Sequence, residues 1–423
     1  MDTKNFDIIN ARVTFKNIPI YKIESFSFKD LKVAAETFMK ISDVSECIIM
    51  QTPFRVEVFM VVNLERGDDV PDARRSEGKH LTINQIQKTW KSLTELNQYE
   101  LDHLDQTLEV YRNEDVYLYL VRLATGLDSI VVGRHEIMDE IKNAVSNAQT
   151  NGTSGKVLNK LFENIIRIST NIRDSTKISK GTISLGNIAV KTVDDKAGIK
   201  GKKVLLIGTG ETAAMVALSL SFKGYAFDVT SLTIERSTSF SKNLGGKPVE
   251  FEEVLGGFDK YDIVFVATTA DYFLINYDRL RMVMENKKKG TLILDISDPR
   301  AVDERVSKFP GMKLMFRDQV AELYEEDVKA RKGIVPSVEE MISKEIPIIT
   351  ATMNRLDTEP KIKDVAISVD SLRKKELAKA LEQLGETDEN KIKIIEELTK
   401  NVVEKIISVP VNNTKKTPEQ DNK

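Results

Sequence analysis

The feature that most constrains the fold is a four-residue apolar run, Val204-Leu205-Leu206-Ile207, passing directly into Gly208-Thr209-Gly210-Glu211-Thr212-Ala213. A continuous apolar run of this length suits a parallel strand buried on both faces. The residues after it, through Met215, Leu218 and Leu220, have helical spacing. Further apolar strands at 228–234, 262–267 and 291–296 alternate with helices, which predicts a doubly wound parallel sheet. A Gly-x-Gly-x-x-Ala string is weak by itself, and its place between strand and helix gives it meaning. Gly208 allows the tight turn, Gly210 lets the backbone approach a pyrophosphate, and Ala213 keeps helix and sheet close. The first helical amides then face the phosphates. The expected dinucleotide-binding residues are Gly208, Thr209, Gly210, Glu211, Thr212, Ala213 and Arg236. With the second strand expected to end at Ile234-Glu235-Arg236-Ser237, Glu235 suits the ribose hydroxyl of NAD. Arg236 and Ser237 suit the 2′-phosphate of NADP, the preferred choice. A sheet that has lost its cofactor is the alternative.

The chain is 423 residues long, enough for about two to four domains. A net charge of −3 gives no global basic character, so any RNA contact must be local. The single Cys47 excludes an internal disulfide. With His80, His103 and His135 at no ligand spacing, no metal site is expected. The N-terminus has no signal pattern, and no apolar run is long enough for a bilayer, so a cytoplasmic protein without a membrane segment is expected.

Ahead of the dinucleotide motif, Ile8-Ile9-Asn10-Ala11-Arg12-Val13, Cys47-Ile48-Ile49-Met50 and the alternating Arg55–Val61 read as strands. Glu65–Lys79 reads as a charged loop, and residues 82–101 as a helix with Thr82 as N-cap and Ile83, Ile86 and Trp90 on one face. Leu158, Leu161, Phe162, Ile165 and Ile168 mark a helix, and Ala189 and Val193 a second one after Gly181-Thr182-Ile183-Ser184. Beyond about 318 the chain reads as all-helical. One stripe runs through Val365, Val369, Leu372, Leu377, Ala380, Leu381 and Leu384 to Gly385, and another through Ile392, Ile395, Leu398, Val402 and Ile406. Two such helices cannot bury both stripes alone, so a partner chain is expected, with the protein's own body as the alternative cover. The tail from Asn412 to Lys423 is polar and expected to be disordered. The expected class is α/β plus all-α. Its divisions are 1–155 (substrate recognition), 156–316 (linker helices and Rossmann domain), 317–411 (helical dimerisation domain) and 412–423 (tail).

Several segments carry a family pattern. Leu123-Ala124-Thr125-Gly126-Leu127-Asp128-Ser129-Ile130-Val131-Val132-Gly133 resembles V-A-S-G-L-D-S-x-V-x-G. Leu158-Asn159-Lys160-Leu161-Phe162, Gly181–Leu185, Asp295-Ile296-Ser297-Asp298-Pro299-Arg300 and Leu381-Glu382-Gln383-Leu384-Gly385 follow the same family in order. Over residues 8 to about 411 the chain resembles glutamyl-tRNA reductase, the NADPH enzyme that opens tetrapyrrole synthesis. The resemblance implies an N-terminal α/β catalytic-type domain, a Rossmann NADP-binding domain and a C-terminal helical dimerisation domain joined by a long helix. It also implies NADPH as cofactor, glutamyl-tRNA(Glu) as substrate, a homodimer, and glutamate-1-semialdehyde aminomutase as a downstream partner.

The departures gather at the chemistry. The family writes Ser/Thr-Cys-Asn-Arg-x-Glu where this chain has Thr52-Pro53-Phe54-Arg55-Val56-Glu57, so Pro53 stands at the nucleophile position. The family's pocket His is Tyr119, its His-Lys-Thr-Ala-Pro element is Phe15-Lys16-Asn17-Ile18-Pro19, and its G-E-x-Q-I-x-G-Q is Gly133–Glu140. In the family scheme a thiolate takes the glutamyl group as a thioester, which accepts hydride more readily than an ester. Proline cannot do this. Cys47 lies six residues upstream, roughly 20 Å along an extended strand, and reads as a buried hydrophobe. No catalytic residue is assigned. The substrate-binding set carried over is Thr52, Pro53, Phe54, Arg55, Ser129, Arg134, His135, Glu136 and Glu140. Arg55 suits the substrate carboxylate or an oxyanion, or simply pairs with Glu57. Tyr119 is a proton donor or a core aromatic. Arg167, Arg173, Lys177 and Lys180 face RNA or solvent. Two readings remain open: a reductase transferring hydride directly to the ester, and an inactive tRNA- or NADP(H)-binding relative. A small-metabolite dehydrogenase would leave the Gly126–Ser129 pocket unexplained.

Overall fold

The computed structural model describes residues 6–64, 72–179, 184–284, 290–385 and 388–413. Its described residues fall into two compact units, one running up to Thr350 and the other from Ala351 onward.

The first unit opens with β1 (Phe6–Thr14), α1 (Leu31–Phe38), β2 (Val44–Thr52), β3 (Arg55–Asn63), α2 (Asp72–Leu93), α3 (Gln98–Asp102), α4 (Leu104–Thr107), β4 (Glu109–Arg112), α5 (Glu114–Thr125) and α6 (Glu136–Asn151). The strands make an antiparallel sheet in the order β2-β3-β1-β4. Period-two alternation sorts its residues. Ile9, Ala11, Val13, Cys47, Ile49, Val56, Val58 and Met60 pack with Phe26, Phe38 and Trp90 on one face. The opposite face begins apolar, with Phe59 edge-to-face on Phe162 at 5.2 Å. Toward the β2–β3 hairpin it becomes polar, carrying Asn10, Arg12, Thr14, Arg55 and Glu57, all buried. Buried polar side chains on one end of a sheet face need partners there, and α5 covers that end.

Two boundaries differ from the sequence reading. α2 begins at Asp72, so Thr82 is interior rather than an N-cap, and the charged stretch to Lys79 is helical from Asp72 onward. Arg, Lys and Glu are good helix formers, and their charge was misread as loop. Residues 65–71 lie outside the described residues. α2 also stops at Leu93, and the capping box of Asn97 and Glu100 starts α3 afresh.

Next come α7 (Lys156–Thr176), α8 (Leu185–Ala197), β5 (Val204–Ile207), α9 (Glu211–Phe222), β6 (Phe227–Thr230), α10 (Ile234–Leu244), β7 (Lys247–Pro248), α11 (Phe251–Gly256), β8 (Ile263–Val266), α12 (Tyr277–Met284), β9 (Thr291–Asp295) and β10 (Met312–Phe316). The sheet order β10-β9-β8-β5-β6-β7, parallel throughout, is the expected doubly wound arrangement. β6 ends at Thr230, not Ile234: the Thr233 hydroxyl accepts from Arg236 N, capping α10 and turning Ile234–Ser237 into its first turn. α8 lies hard against α9, since a Cβ at Gly186 would sit 2.3 Å from the Met215 carbonyl carbon. Ile20 and Phe54 of the N-terminal module join Leu206, Ala213 and Phe240 in one buried cluster. Lys242 also pairs with Glu24 at 2.8 Å. The two modules of this unit therefore share a core.

α13 (Asp318–Leu384) is the expected long helix, and α14 (Glu389–Asn413) follows it. Gly385, at φ +60°, ends α13. Leu377 is buried, but Leu372, Leu384, Ile394, Leu398 and Val402 are exposed. Residues 414–423 and 180–183, with Lys180 and Gly181-Thr182-Ile183, lie outside the described residues. Among the described residues no helix is long and apolar enough to cross a membrane.

Candidate active site

The β2–β3 connection is a two-residue turn, Pro53-Phe54, closed by the Thr52–Arg55 pair. Neither turn residue has a positive φ, and proline presets the first corner of such a turn. Thr52 Oγ1 accepts from Phe54 N at 3.2 Å, and Phe15 N donates to Phe54 O at 2.9 Å. Phe54 was expected to touch substrate, but it is 1% exposed and its ring is committed to the shared core. Thr52 and Pro53 stay half-buried at the turn.

Behind the turn, Arg55 Nη1 donates to Glu57 Oε1 at 3.2 Å and to the Tyr119 hydroxyl at 2.7 Å, while Nη2 donates to the Asp128 carbonyl at 2.9 Å. The Tyr119 hydroxyl donates in turn to Glu57 Oε1. The Arg55–Glu57 pair therefore exists, and Tyr119 is both a core aromatic and a polar link. Burial pushes the Tyr119 phenol up, with Glu57 adding to it against Arg55, so it stays protonated. Burial alone would lower the Arg55 pKa, but the charge and hydrogen bond of Glu57 work against it and the pKa stays raised. Arg55 and Tyr119 line a cleft of about 570 Å³ with Arg12, Lys16, Tyr111, Arg122 and Asp128 among its other walls.

The loop after α5 is held by two glycines. Gly126 has φ +90° and Gly133 φ +82°, and a Cβ at Gly133 would lie 2.2 Å from the Ile178 carbonyl oxygen. Arg173 locks this loop by donating to the carbonyls of Ala124 at 3.0 Å and Arg134 at 3.0 Å. It is a buried clamp rather than an RNA-facing residue. Asp128 joins Lys16 at 2.6 Å and Arg122 at 3.2 Å. Ser129 Oγ is buried with no hydrogen-bond partner among the described residues. Arg134 pairs with Glu140 at 2.8 Å, its guanidinium 5.4 Å from the Phe54 ring centroid. Burial raises the Glu140 pKa despite Arg134 and Arg55. His135 and Glu136 were expected at the substrate, but they are exposed at the start of α6, away from the cleft walls. Sequence reasoning missed Arg12, Tyr111 and Arg122 as cleft residues. The available signal was Arg12, the one charge within the Ile8–Val13 segment read as a strand.

Cys47 is fully buried on the sheet face opposite Arg55 and Glu57, paired across the strands with Met60. Burial pushes its thiol up, away from the thiolate a nucleophile needs.

At the second sheet, Gly208 has φ +124°, donates to Thr230 O at 2.8 Å, and would drive a Cβ to 1.9 Å from Ala267 O. Gly210 is the N-cap of α9, with nothing within 4 Å of a Cβ built there and no side chain capping the helix. The open approach, the uncapped amides and the buried Ala213 fit a dinucleotide pyrophosphate. Thr209 is buried beside them, and Glu211 and Thr212 open α9. Leu232 is exposed just past the tip of β6, and Arg236 stands in the first turn of α10 with its guanidinium 4.9 Å from the Tyr21 ring centroid. Among the described residues, no group of three His, Cys, Asp or Glu could hold a metal ion.

Comparisons with known proteins place this geometry. Residues 11–176 match the family model for the glutamyl-tRNA(Glu) reductase N-terminal domain, 187–323 that for shikimate/quinate 5-dehydrogenase, and 337–423 that for the glutamyl-tRNA(Glu) reductase dimerisation domain. The chain is 43% identical to a glutamyl-tRNA reductase of Cenarchaeum symbiosum over 98% of its length and 94% of the relative's. It is 29% identical to one of Methanococcus aeolicus over 95% and 93%. The solved glutamyl-tRNA reductase of Methanopyrus kandleri aligns over 95% of this chain and 93% of its own, with 26% identity and a TM-score of 0.52.

Proposed function

Since the chain belongs to the glutamyl-tRNA reductase family, we propose that it reduces the ester of glutamyl-tRNA(Glu) to glutamate-1-semialdehyde by direct hydride transfer, without a covalent thioester. The observation that carries this is the sheet face at the cleft. It holds Arg55, Glu57 and Tyr119 in one hydrogen-bonded cluster, while the chain's single thiol lies buried on the other face. NADPH, held at the Gly208–Ala213 loop, supplies the hydride when bound. The glutamyl carbonyl carbon gains it, the ester bond to the tRNA ribose breaks, and the departing oxygen takes a proton, leaving aldehyde and free tRNA. An aminoacyl ester is already activated, so orientation and oxyanion stabilisation can carry the step. Arg55 supplies positive charge beside the cleft for the developing oxyanion. Tyr119, whose hydroxyl is held between Arg55 and Glu57 at the cleft wall, is the group placed to supply a proton. Thr52 and Ser129 add hydrogen-bonding hydroxyls at the turn and loop. Arg236 is the cation nearest the ribose end of the nucleotide site. The C-terminal helices join two copies, and an aminomutase is the natural consumer of the reactive aldehyde.

The test is a single-turnover assay with glutamyl-tRNA and NADPH, trapping the aldehyde. Semialdehyde from the wild type, with Tyr119→Phe slower by roughly 100-fold or more as expected for loss of a proton donor, supports the reading. No aldehyde from protein shown to bind both NADPH and tRNA overturns it and leaves a binding relative.

A further inference from the structure

The 2′-phosphate that separates NADPH from NADH falls just beyond the second strand of the nucleotide sheet, here β6. Arg236 stands there half-buried, in the first turn of α10. Among the described residues its guanidinium has no hydrogen bond and no ion pair. The neighbouring Glu235 does not neutralise it. Hydrogen bonds from its own amide and from the Thr233 hydroxyl hold that carboxyl on the helix cap and below the usual range. What Arg236 does touch is a ring: its guanidinium carbon lies over Tyr21, 4.9 Å from the centroid. A ring face holds a guanidinium through its charge and leaves the N–H donors at its edge unspent.

Tyr21 belongs to the N-terminal module and not to the nucleotide sheet. It sits on a short 3-10 helix, Ile20–Phe26, between β1 and α1. Residues three apart eclipse in such a helix. Ile20, Ile23 and Phe26 form its buried line, and Tyr21 and Glu24 form the next. Both members of the second line reach α10, Tyr21 at Arg236 and Glu24 Oε1 at Lys242 Nζ, 2.8 Å away. Ile20 shares one buried cluster with Phe240 and Leu244 of the same helix, and Tyr21 is partly buried against it. The ring is therefore mounted by the core shared between the modules, independently of the arginine it holds.

We propose that Tyr21 is a positioning residue for the cofactor: its ring aims the Arg236 guanidinium at the 2′-phosphate, so the N-terminal module completes the selection of NADPH over NADH. This rests on Arg236 serving the 2′-phosphate and not on catalysis. A phosphate takes paired donors from a guanidinium held in one orientation. Without the ring, the long side chain must be ordered when the phosphate binds, and that ordering weakens binding. NADH has no phosphate to gain from the arrangement, so the ring matters to one nucleotide only.

The experiment is equilibrium binding of NADPH and of NADH, without tRNA, to full-length wild type, Tyr21→Leu, Tyr21→Phe, Arg236→Gln and the Tyr21→Leu/Arg236→Gln double variant. Wild type is expected to prefer NADPH by roughly 10- to 100-fold, the worth of a charge-assisted contact. Arg236→Gln should bring that preference to within about threefold. Tyr21→Leu should lower it roughly fivefold by weakening NADPH alone, and Tyr21→Phe, which keeps the ring, should retain it. In the double variant the loss of Tyr21 should add nothing, since its effect passes through Arg236. An equal loss for both nucleotides, a further fall in the double variant, or a preference lost in Tyr21→Phe would overturn the proposal. If Tyr21→Leu does not fold, Tyr21→Gln decides on the same criteria. A wild type without preference, or a preference that survives Arg236→Gln, would sink the assignment of Arg236 and this proposal together. A preference that needs Arg236 but is unchanged in Tyr21→Leu would overturn this proposal alone.

Discussion

At the level of single residues, two groups separate what the site needs from what the core needs. Cys47 is the one thiol, and its burial and raised pKa make it inert. Iodoacetamide applied to the native protein is therefore expected to leave the single-turnover rate within about twofold of the untreated rate, since a buried structural thiol stays unreactive. Loss of activity in step with alkylation would restore a thiol mechanism. Asp128 has the opposite character. Burial would push its carboxyl up, but the hydrogen bond and charge of Lys16, and then Arg122, outweigh burial and hold it below the usual range. A carboxyl depressed in the folded state stabilises fully above its unfolded value of about 3.9 and loses that contribution as pH falls through the folded value. Asp128→Asn should therefore melt below the wild type at pH 7, with the gap closing below about pH 4. A gap independent of pH would show that the ion pairs contribute nothing. Motif spacing found Arg55 and Tyr119, but not Arg12. Its counter-ion Glu109 is 97 positions away, on a strand of only four residues, and no linear pattern joins the two.

Among the elements, the legible parts were those in which periodicity and special residues agree. The apolar runs of β5, β8 and β9 and the Gly208 turn could be read because a parallel sheet buries both faces of its strands and one backbone position tolerates no side chain. The start of α2 and the end of β6 were misread for local reasons. Charge does not distinguish an exposed helix from a loop, and a capping threonine inside a β-branched run looks like more strand. The Gly126–Gly133 loop was recognised as a motif, and the structure supplies its physics. Gly133→Ala combines a positive φ with a Cβ 2.2 Å from Ile178 O, so it should destabilise by roughly 2–4 kcal/mol. Gly152→Ala has φ +69° but open space, and should cost only about 1–2 kcal/mol. Urea unfolding of both variants checks the difference. Equal losses would mean that the loop yields and does not fix the position of Asp128.

For the molecule as a whole, the question is which surfaces the chain completes by itself. The N-terminal sheet and the Rossmann sheet complete each other, with Phe54 and Ile20 set into the cluster around Ala213 and Phe240. A phenylalanine at the hairpin turn thus does a packing job, which the motif comparison alone does not show. The C-terminal unit does not complete itself. Ile394, Leu398 and Val402 recur at four-residue spacing along α14, placing them on one exposed face, while Leu372 and Leu384 stay exposed on α13. A helix face of that kind is covered by another chain or aggregates. The match of residues 337–423 to a dimerisation domain identifies the cover as a second copy. In a two-fold interface each substitution acts twice. Replacing Ile394 and Leu398 by Asp removes four apolar side chains per dimer, roughly 6 kcal/mol or about four decades in Kd. Sedimentation at micromolar concentration should then show the double variant as a monomer, with NADPH affinity unchanged because the Gly208–Ala213 loop lies in the other unit. A variant that remains dimeric would place the contact on another face of these helices. Lost NADPH binding would mean that the nucleotide site depends on assembly, making the dimer part of the cofactor site and not only of the quaternary structure.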